Sequence, residues 1–417
     1  MDMVVEGRAF VNGELRSTSI GIEDGKIAAV GRTLRRGDRN LDLGDRIILP
    51  GFVDPHVHLR DPGLTEKEDF RTGTMAAVHG GVTCVLDMPN TLPPAIDVGS
   101  VTDKKAAIRS KACADYGLLA AITERCRPDR LAPLVVGFKL FMGSTTGNIL
   151  MNDDSKIAPM MAEIAGTGKR VSVHAEDDSM ISKESEGSNQ DHLRNRPVEA
   201  EFSALRRLSA YRGMKVNICH VTDSRTLSAA ADLGFTTEVT LHHMFFDAEG
   251  FPSAEHKVNP PLRDIGTRDA LYRAFLDGRA TMFGTDHAPH TVSEKSGEYG
   301  SAPGGIPGVE TSMPIMMNLV RKGAVPLSQI VRMGSSAPAE AFGLSKGRIA
   351  PGYDADLAVF DSRTFGRIDL KKLYSKAGHT PYEGWEAVFP EIVMVRGETQ
   401  VEDGEFCGDH IGEDVCG

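Results

Sequence analysis

Histidine and aspartate residues recur in this sequence at the ends of short apolar segments, where they could bind metal ions. His56 and His58 form a His-Val-His pair at the end of one such segment. Similar positions later in the chain are taken by His174, His220 and Asp286. Because alternate residues of a strand point the same way, both imidazoles of the pair can face one ion. An isolated pair indicates little, but these side chains together predict a metal site.

Lys139 lies inside another apolar segment, VVGFKLFM. A charged, unpaired lysine would be costly to bury there. One interpretation is a lysine that forms an ion pair or whose ammonium group reaches solvent. The other is a neutral amine that takes up CO₂ and becomes a carbamate, an anionic oxygen ligand able to bridge two cations. Desolvation and nearby cations both favour the neutral amine that this reaction needs.

Asp286 stands in the histidine-rich segment GTDHAPH. It could bind a metal through one carboxylate oxygen and transfer protons with the other. The alternative is a helix cap formed by Thr285 or Asp286. A cap does not explain why His287 and His290 follow in the same segment. His290 could reach a substrate that is held over the metals.

Arg60 and Asn90 are candidate contacts for a substrate. By strand alternation Arg60 is expected to point to the same side as His58, and its planar guanidinium suits a carboxylate. A surface ion pair with Asp61 or Glu66 is the alternative for Arg60. Asn90, in MPNT, is either a turn residue or a contact at a strand end.

The elements that must position these residues form a repeating pattern between residues 51 and 340. Apolar strand candidates alternate there with Ala-, Leu- and charge-rich helical segments such as EAEFSALRRLSAY and SRTLSAAADLG. The eight strand candidates are IILPGFVDPHVH, GVTCVLDMPN, DYGLLAAIT, LVVGFKLFM, KRVSVHAE, KVNICHV, FTTEVTLHH and ATMFGTDHAPH. Eight such units predict an α/β fold, a (β/α)₈ barrel whose strand ends converge on one mouth. A doubly wound open sheet is the alternative.

Both ends of the chain are β-rich. Asn12-Gly13 and Asp24-Gly25 are turn signals between β-prone runs, and residues 341–417 show a similar pattern. We therefore expect one small β-domain built from residues 1–50 and 341–417, with the catalytic barrel at 51–340.

Composition narrows the classes of function. The 417 residues are 41% hydrophobic and 25% charged, with a net charge of −11, as in a globular protein. The acidic balance argues against nucleic acid or an anionic membrane as the main partner. The start of the chain does not read as a signal peptide, and no apolar stretch is long enough to span a bilayer. The six cysteines form no CxxC pair, so we expect reduced thiols in the cytoplasm.

These residues together resemble the amidohydrolase superfamily and, within it, the dihydroorotases. The matching segments follow the family order over essentially the whole chain: DPHVHLRDPG, MPNT, GFKLFMGSTTG, HAED, CHVTD, KVNPPLR and GTDHAPHTVSEK. The sharpest markers are Arg60 after the histidine pair, Asn259 in VNPPLR, and Lys295 after APH. The related hydantoinases, dihydropyrimidinases and allantoinases usually differ at these points. The tail CGDHIGEDVCG matches no family function.

The resemblance implies a reversible, metal-dependent closure of N-carbamoyl-L-aspartate to L-dihydroorotate in pyrimidine synthesis. It implies two zinc ions bridged by carboxylated Lys139, with Asp286 as the proton carrier. The implied metal ligands are His56, His58, Lys139, His174, His220 and Asp286, and the implied substrate contacts are Arg60, Asn90, Asn259, His290, Gly304 and Gly305. We expect His242 and His243 to be structural.

Two rival hypotheses stay open at this point. One is another cyclic amidase, a dihydropyrimidinase or an allantoinase, which would share the metals but differ in the grip on the carboxylate. The other is a non-catalytic relative that serves as an assembly scaffold, although every expected metal ligand is present. A homodimer is the default assembly, and the enzyme could also dock to another enzyme of the pyrimidine pathway.

Overall fold

Two sheets organise the chain in the computed structural model, which describes residues 1–145, 147, 149–361 and 363–416. The strands are β1 (Met3–Val11), β2 (Glu14–Glu23), β3 (Lys26–Gly31), β4 (Arg39–Pro50), β5 (Phe52–Val57), β6 (Val82–Asp87), β7 (Asp115–Ala121), β8 (Gly137–Phe141), β9 (Arg170–His174), β10 (Val216–Ile218), β11 (Thr236–Val239), β12 (Met282–Phe283), β13 (Leu357–Phe360), β14 (Gly366–Arg367), β15 (Glu386–Ala387), β16 (Ile392–Val395), β17 (Glu398–Glu402) and β18 (Glu405–Phe406). The α-helices are α1 (Phe70–His79), α2 (Val98–Ile108), α3 (Pro128–Leu131), α4 (Asp154–Thr167), α5 (Asn189–Asn195), α6 (Val198–Leu208), α7 (Ser224–Asp232), α8 (Leu241–Phe245), α9 (Ile265–Leu276), α10 (Val292–Lys295), α11 (Ser312–Arg321), α12 (Leu327–Val331) and α13 (Ala337–Phe342).

The first sheet is a parallel barrel made of β5 to β12 in chain order. Each of its eight strands lies within a segment that the sequence predicts as a strand. The barrel closes beyond the end of β12, where the backbone N–H of His58 donates to the carbonyl of His287 at 2.8 Å. Its strands are almost continuously buried, as expected when helices cover the outside of a parallel sheet. The predicted barrel is confirmed.

Helices follow most of the barrel strands, and aspartate side chains begin several of them. Asp69 accepts a hydrogen bond from the backbone N–H of Thr72 at the start of α1, and Asp223 accepts one from Arg225 at the start of α7. These bonds satisfy N–H groups that have no partner inside the helix. The two helical segments singled out in the sequence correspond to α6 and α7.

The second sheet is built from both ends of the chain, in the order β18-β17-β16-β13-β4-β1-β2-β3. Its hairpins turn at Asn12-Gly13 and Asp24-Gly25, and all four residues have positive φ. That backbone matches the twist of two-residue hairpins and favours Asn, Asp and Gly. The composite β-domain is therefore confirmed, while the exact limits 1–50, 51–340 and 341–417 stay predictions.

A buried ion cluster joins the β-domain to the bottom of the barrel. Nζ of Lys346 lies 2.6 Å from Asp115 at the start of β7, 2.9 Å from Asp354 and 2.8 Å from Asp356 before β13. The C-terminal tail reaches the same place, where the N–H of Tyr116 donates to the carbonyl of Glu413. The six cysteines are free thiols. In the described part of the chain, no helix is long and apolar enough to cross a membrane.

Candidate metal centre and substrate pocket

A cavity at the carboxyl ends of the barrel strands brings together nearly all of the predicted site residues. It is lined by His56, His58, Arg60, Asn90, Lys139, Phe141, Thr145, His174, His220, Asn259, Asp286, Ala288, Gly304 and Gly305. His290 is the one predicted site residue that is absent from this lining, and it lies buried behind Arg60.

Asp286 lies between His56, which is in β5, and His58, which follows the end of β5. Its Oδ1 lies 3.0 Å from Nε2 of His58 and 3.3 Å from Nε2 of His56. One ligand atom each from His56, His220 and Asp286 all lie within 4.8 Å of one another. His220 and Asp286 adopt positive φ, which is rare for residues other than glycine and common at functional sites. The predicted convergence of distant strand ends is observed.

The donor set fits a divalent metal such as zinc. Nδ1 of His174 and Nε2 of His220 face each other at 3.1 Å, and both rings are buried. Within the described residues, the second nitrogen of His220 has no hydrogen-bond partner. Buried polar atoms without partners are rare in folded proteins, and imidazoles and carboxylates around one point suit zinc.

Lys139 projects into the same cavity from β8. Its fully buried Nζ donates to Sγ of Cys219 at 3.1 Å and lies 5.3 Å from the centre of the Phe141 ring. In the chain as described, no carboxylate lies within 4.0 Å of this nitrogen. The ion pair considered from the sequence is therefore not formed among the described residues, and a charged amine would be costly to bury at this position.

Burial and neighbouring charges shift the pKa values of the cluster in opposite directions. The imidazoles of His56, His58 and His220 hold the pKa of Asp286 well below its usual range, although burial acts in the opposite direction. Burial lowers the pKa of His58 to about 4. For His56, burial and Lys139 act downward, but Asp286 and other acidic neighbours outweigh them and raise the pKa to about 10. The surroundings of His56 thus attract a positive charge.

Arg60 reaches the pocket by a route that differs from the prediction. Because β5 ends at Val57, strand alternation does not aim Arg60; it lies in a loop with a left-handed φ of 62°. Its Nε donates to the carbonyl of Pro289 at 3.1 Å, and the side chain is buried. The alternative ion pair is not seen, since Asp61 binds Lys111 instead. Among the described residues, no carboxylate lies within 4.0 Å of the guanidinium.

Asn90 and Asn259 lie in the pocket wall and contact different residues. Oδ1 of Asn90 lies 2.6 Å from Nδ1 of His58, so it fixes the proton on that nitrogen and leaves Nε2 toward Asp286. Asn259 lies beside Gly304, where a Cβ atom would come 2.8 Å from its Nδ2. Glycine at 304 therefore keeps this wall of the pocket open.

Comparison with known proteins gives the chain its family. The model of the amidohydrolase family matches residues 47–399. A dihydroorotase of Methanosarcina acetivorans is 38% identical over 424 residues, which cover 94% of this chain and 90% of that protein. A dihydroorotase of Pyrococcus abyssi is 37% identical and covers 100% of this chain and 98% of its own length. The chain belongs to the dihydroorotases of the amidohydrolase family.

Solved amidohydrolase structures share the architecture. The L-hydantoinase (dihydropyrimidinase) from Arthrobacter aurescens superimposes with a TM-score of 0.92 at 25% identity, over 99% of each chain. A dihydropyrimidinase from Brevibacillus agri gives a TM-score of 0.90 at 26% identity, over 100% of this chain and 98% of that one. Membership of the amidohydrolase family implies a metal-dependent hydrolase.

Two acidic residues of this dihydroorotase centre were not predicted from the sequence. Oε2 of Glu238 lies 2.9 Å from Nδ1 of His56, and Oε2 of Glu176 lies 2.8 Å from Nε2 of His174. Both carboxylates are fully buried. A signal was present for Glu238, because it is a charged residue inside the buried strand β11. Nε2 of His243 lies 2.9 Å from the carbonyl oxygen of Pro260, and the structural role expected for His242 and His243 stays a prediction.

Proposed function

We propose that this chain catalyses the reversible closure of N-carbamoyl-L-aspartate to L-dihydroorotate, with loss of water, in pyrimidine synthesis. The observation that carries the proposal is the buried guanidinium of Arg60, which has no carboxylate partner in the described residues and lines the pocket beside the histidine–aspartate cluster. A buried cation of this kind suits an anionic substrate. Relatives named dihydroorotase support the same choice.

The metal ligands are assigned by the same proposal. His56, His58 and Asp286 would hold one zinc ion, His174 and His220 the other, and Lys139, once carboxylated, would stand between them. When bound, the metals supply an activated water near neutral pH and polarise the reacting carbonyl. The buried nitrogens and carboxylate of the cluster support this assignment.

The remaining steps belong to side chains of the chain itself. Arg60 binds the substrate carboxylate and thereby sets the orientation of the ring. Oδ1 of Asp286 is held between two imidazoles, which leaves Oδ2 to exchange protons. During hydrolysis Asp286 takes a proton from the attacking water and delivers it to the leaving ring nitrogen. In ring closure it takes a proton from the attacking ureide nitrogen and delivers it to the oxygen that leaves as water.

The setting of the enzyme is part of the proposal. Six free cysteines support a reducing, cytoplasmic location. A homodimer is the commonest closed assembly. Docking to another enzyme of the pyrimidine pathway is a further hypothesis.

The test is a ring-opening assay on purified protein of known metal content. Loss of L-dihydroorotate is followed beside 5,6-dihydrouracil, hydantoin and allantoin. We expect turnover of dihydroorotate alone, abolished by a chelator and restored by zinc. Turnover of dihydrouracil or hydantoin instead would overturn the proposal in favour of the activity named for the structural relatives.

A further inference from the structure

Asn259 is held from behind the pocket by two residues that do not line it. Nε2 of the buried His192 lies 2.9 Å from Oδ1 of Asn259, and Nδ1 of the same ring lies 2.8 Å from Oε1 of Glu186. The three side chains thus form a relay, Glu186–His192–Asn259, that ends at the pocket wall.

A backbone carbonyl fixes the direction of the relay. Nε2 of His192 also lies 3.1 Å from the carbonyl oxygen of Val258, which can only accept hydrogen bonds. Nε2 must therefore carry a proton and donate. The atom of Asn259 that faces it is then the acceptor Oδ1, so the amide nitrogen Nδ2 is turned the other way, against Gly304.

Glu186 is itself held in place as a carboxylate. Nζ of Lys257 lies 3.0 Å from its Oε2, and Nδ2 of Asn195 donates to its Oε1 at 3.2 Å. Burial acts to raise the pKa of Glu186, but His192 and Lys257 outweigh it and lower the pKa to about 2. The histidine is consequently anchored by a charged group at the end away from the pocket.

We propose that His192 and Glu186 are positioning residues that present Nδ2 of Asn259 as a hydrogen-bond donor to the ureide carbonyl oxygen of the substrate. This inference rests on the proposed function, which supplies the substrate. The carboxylate of the substrate binds Arg60, and the carbonyl group that reacts must face the histidine–aspartate cluster. The ureide carbonyl is the acceptor that remains, and it is present in both dihydroorotate and N-carbamoyl-L-aspartate.

The relay predicts that the protein distinguishes substrate analogues by how well one of their atoms accepts a hydrogen bond. A site that is built to donate to an oxygen discriminates against an analogue whose atom accepts poorly, because a buried donor is then left without a partner. Sulfur is a weaker acceptor than oxygen. The protein should therefore prefer dihydroorotate to its 2-thio analogue, in which sulfur replaces the ureide oxygen.

The experiment compares His192→Ala, His192→Gln and Glu186→Gln with the unchanged protein, each with its full metal content. For His192→Ala we expect KM for both substrates to rise about 10-fold, as for the loss of one hydrogen bond in a buried site, with kcat changed by less than about 3-fold. Glutamine can donate from a similar position, so His192→Gln should restore most of the loss. The preference for oxygen over sulfur should disappear in His192→Ala and return in His192→Gln.

A matched control and two contrary outcomes complete the design. His256→Gln changes a half-buried histidine three residues before Asn259, whose Nδ1 lies 3.2 Å from the hydroxyl of Ser253 and which does not line the pocket; it should leave KM unchanged. Unchanged KM in His192→Ala, or equal discrimination against sulfur with and without His192, would overturn the relay. If the unchanged protein itself fails to turn over dihydroorotate, the proposed function fails first, and the two failures are told apart.

Discussion

Nη2 of Arg60 lies 3.2 Å from Nε2 of His290, and both side chains are buried. On the far side of the ring, Nζ of Lys67 lies 3.3 Å from Nδ1. Burial, Arg60 and Lys67 hold the pKa of His290 well below its usual range, so the ring is neutral. A neutral imidazole has one acceptor nitrogen, which cannot serve two cations. Lys67 is balanced by Glu294, whose Oε1 lies 2.6 Å from its Nζ. The guanidinium of Arg60 therefore carries the positive charge that has no carboxylate partner among the described residues, and we expect the substrate carboxylate there.

Replacement of Arg60 by methionine removes that charge while it keeps much of the side-chain length. We expect KM for dihydroorotate to rise about 10- to 100-fold, the range for a lost charge-assisted hydrogen bond in a buried site. Steady-state kinetics in both directions measure the effect. Arg212→Met, at an exposed arginine, is the control. Unchanged KM and kcat in Arg60→Met would refute the assigned role.

Asp286→Asn keeps an oxygen that can bind a metal but cannot carry a proton. We expect kcat to fall by about 10²- to 10⁴-fold, as for removal of a general acid–base group. Metal content per chain should stay close to that of the unchanged protein. Elemental analysis and kinetics on the same samples separate the two effects. A variant that keeps its metal and more than a tenth of its turnover would argue for another proton carrier.

Lys139→Ala tests the carbamate. We expect the variant to lose bound metal and activity, because the oxygen ligand proposed for carboxylated Lys139 would be gone. Short carboxylic acids such as acetate or propionate should restore part of both by supplying that oxygen from solution. Lys156→Ala, at an exposed lysine, should respond to neither change. If alanine at 139 leaves the metal content unaltered, the carbamate idea is wrong.

Lys295 should make stability depend on pH. Its Nζ donates to the carbonyls of Lys257, Pro303 and Gly305, and burial, followed by the nearby Lys257, lowers its pKa to about 7. Since the ordinary value is 10.5, the unfolded chain binds more protons than the folded chain between these values. The contribution of Lys295 to stability therefore rises with pH from about 7 to about 10.5.

Urea unfolding at pH 7 and pH 9.5 measures this contribution. As the pH rises, the urea concentration at the unfolding midpoint should increase for the unchanged protein relative to Lys295→Met, because methionine does not titrate. Lys183→Met removes an exposed lysine and should show no such trend. A constant difference between the unchanged protein and Lys295→Met across this range would show that the lysine stays charged in the folded chain.

Much of the architecture and of the site could be predicted from the sequence alone. Strand periodicity and apolar runs are local properties, so the eight barrel strands and the two hairpin turns are readable without a structure. In a parallel barrel the carboxyl ends of all strands lie at the same mouth, and this does not depend on the conformation of the loops. For that reason His56, His174, His220 and Asp286 could be brought together in advance.

Only the tertiary structure decided which side chains hold these residues. Glu238 meets His56 across 182 residues of sequence, and His192 meets Asn259 across 67. Such contacts depend on strand register and on loop paths, which no local pattern specifies. Arg60 is the clearest case, because it enters the pocket through a left-handed loop residue beyond the end of β5. The types of the site residues and their places at strand ends can be read from local sequence. The residues that they contact, and the direction from which each side chain enters the pocket, are set by the packing of distant segments.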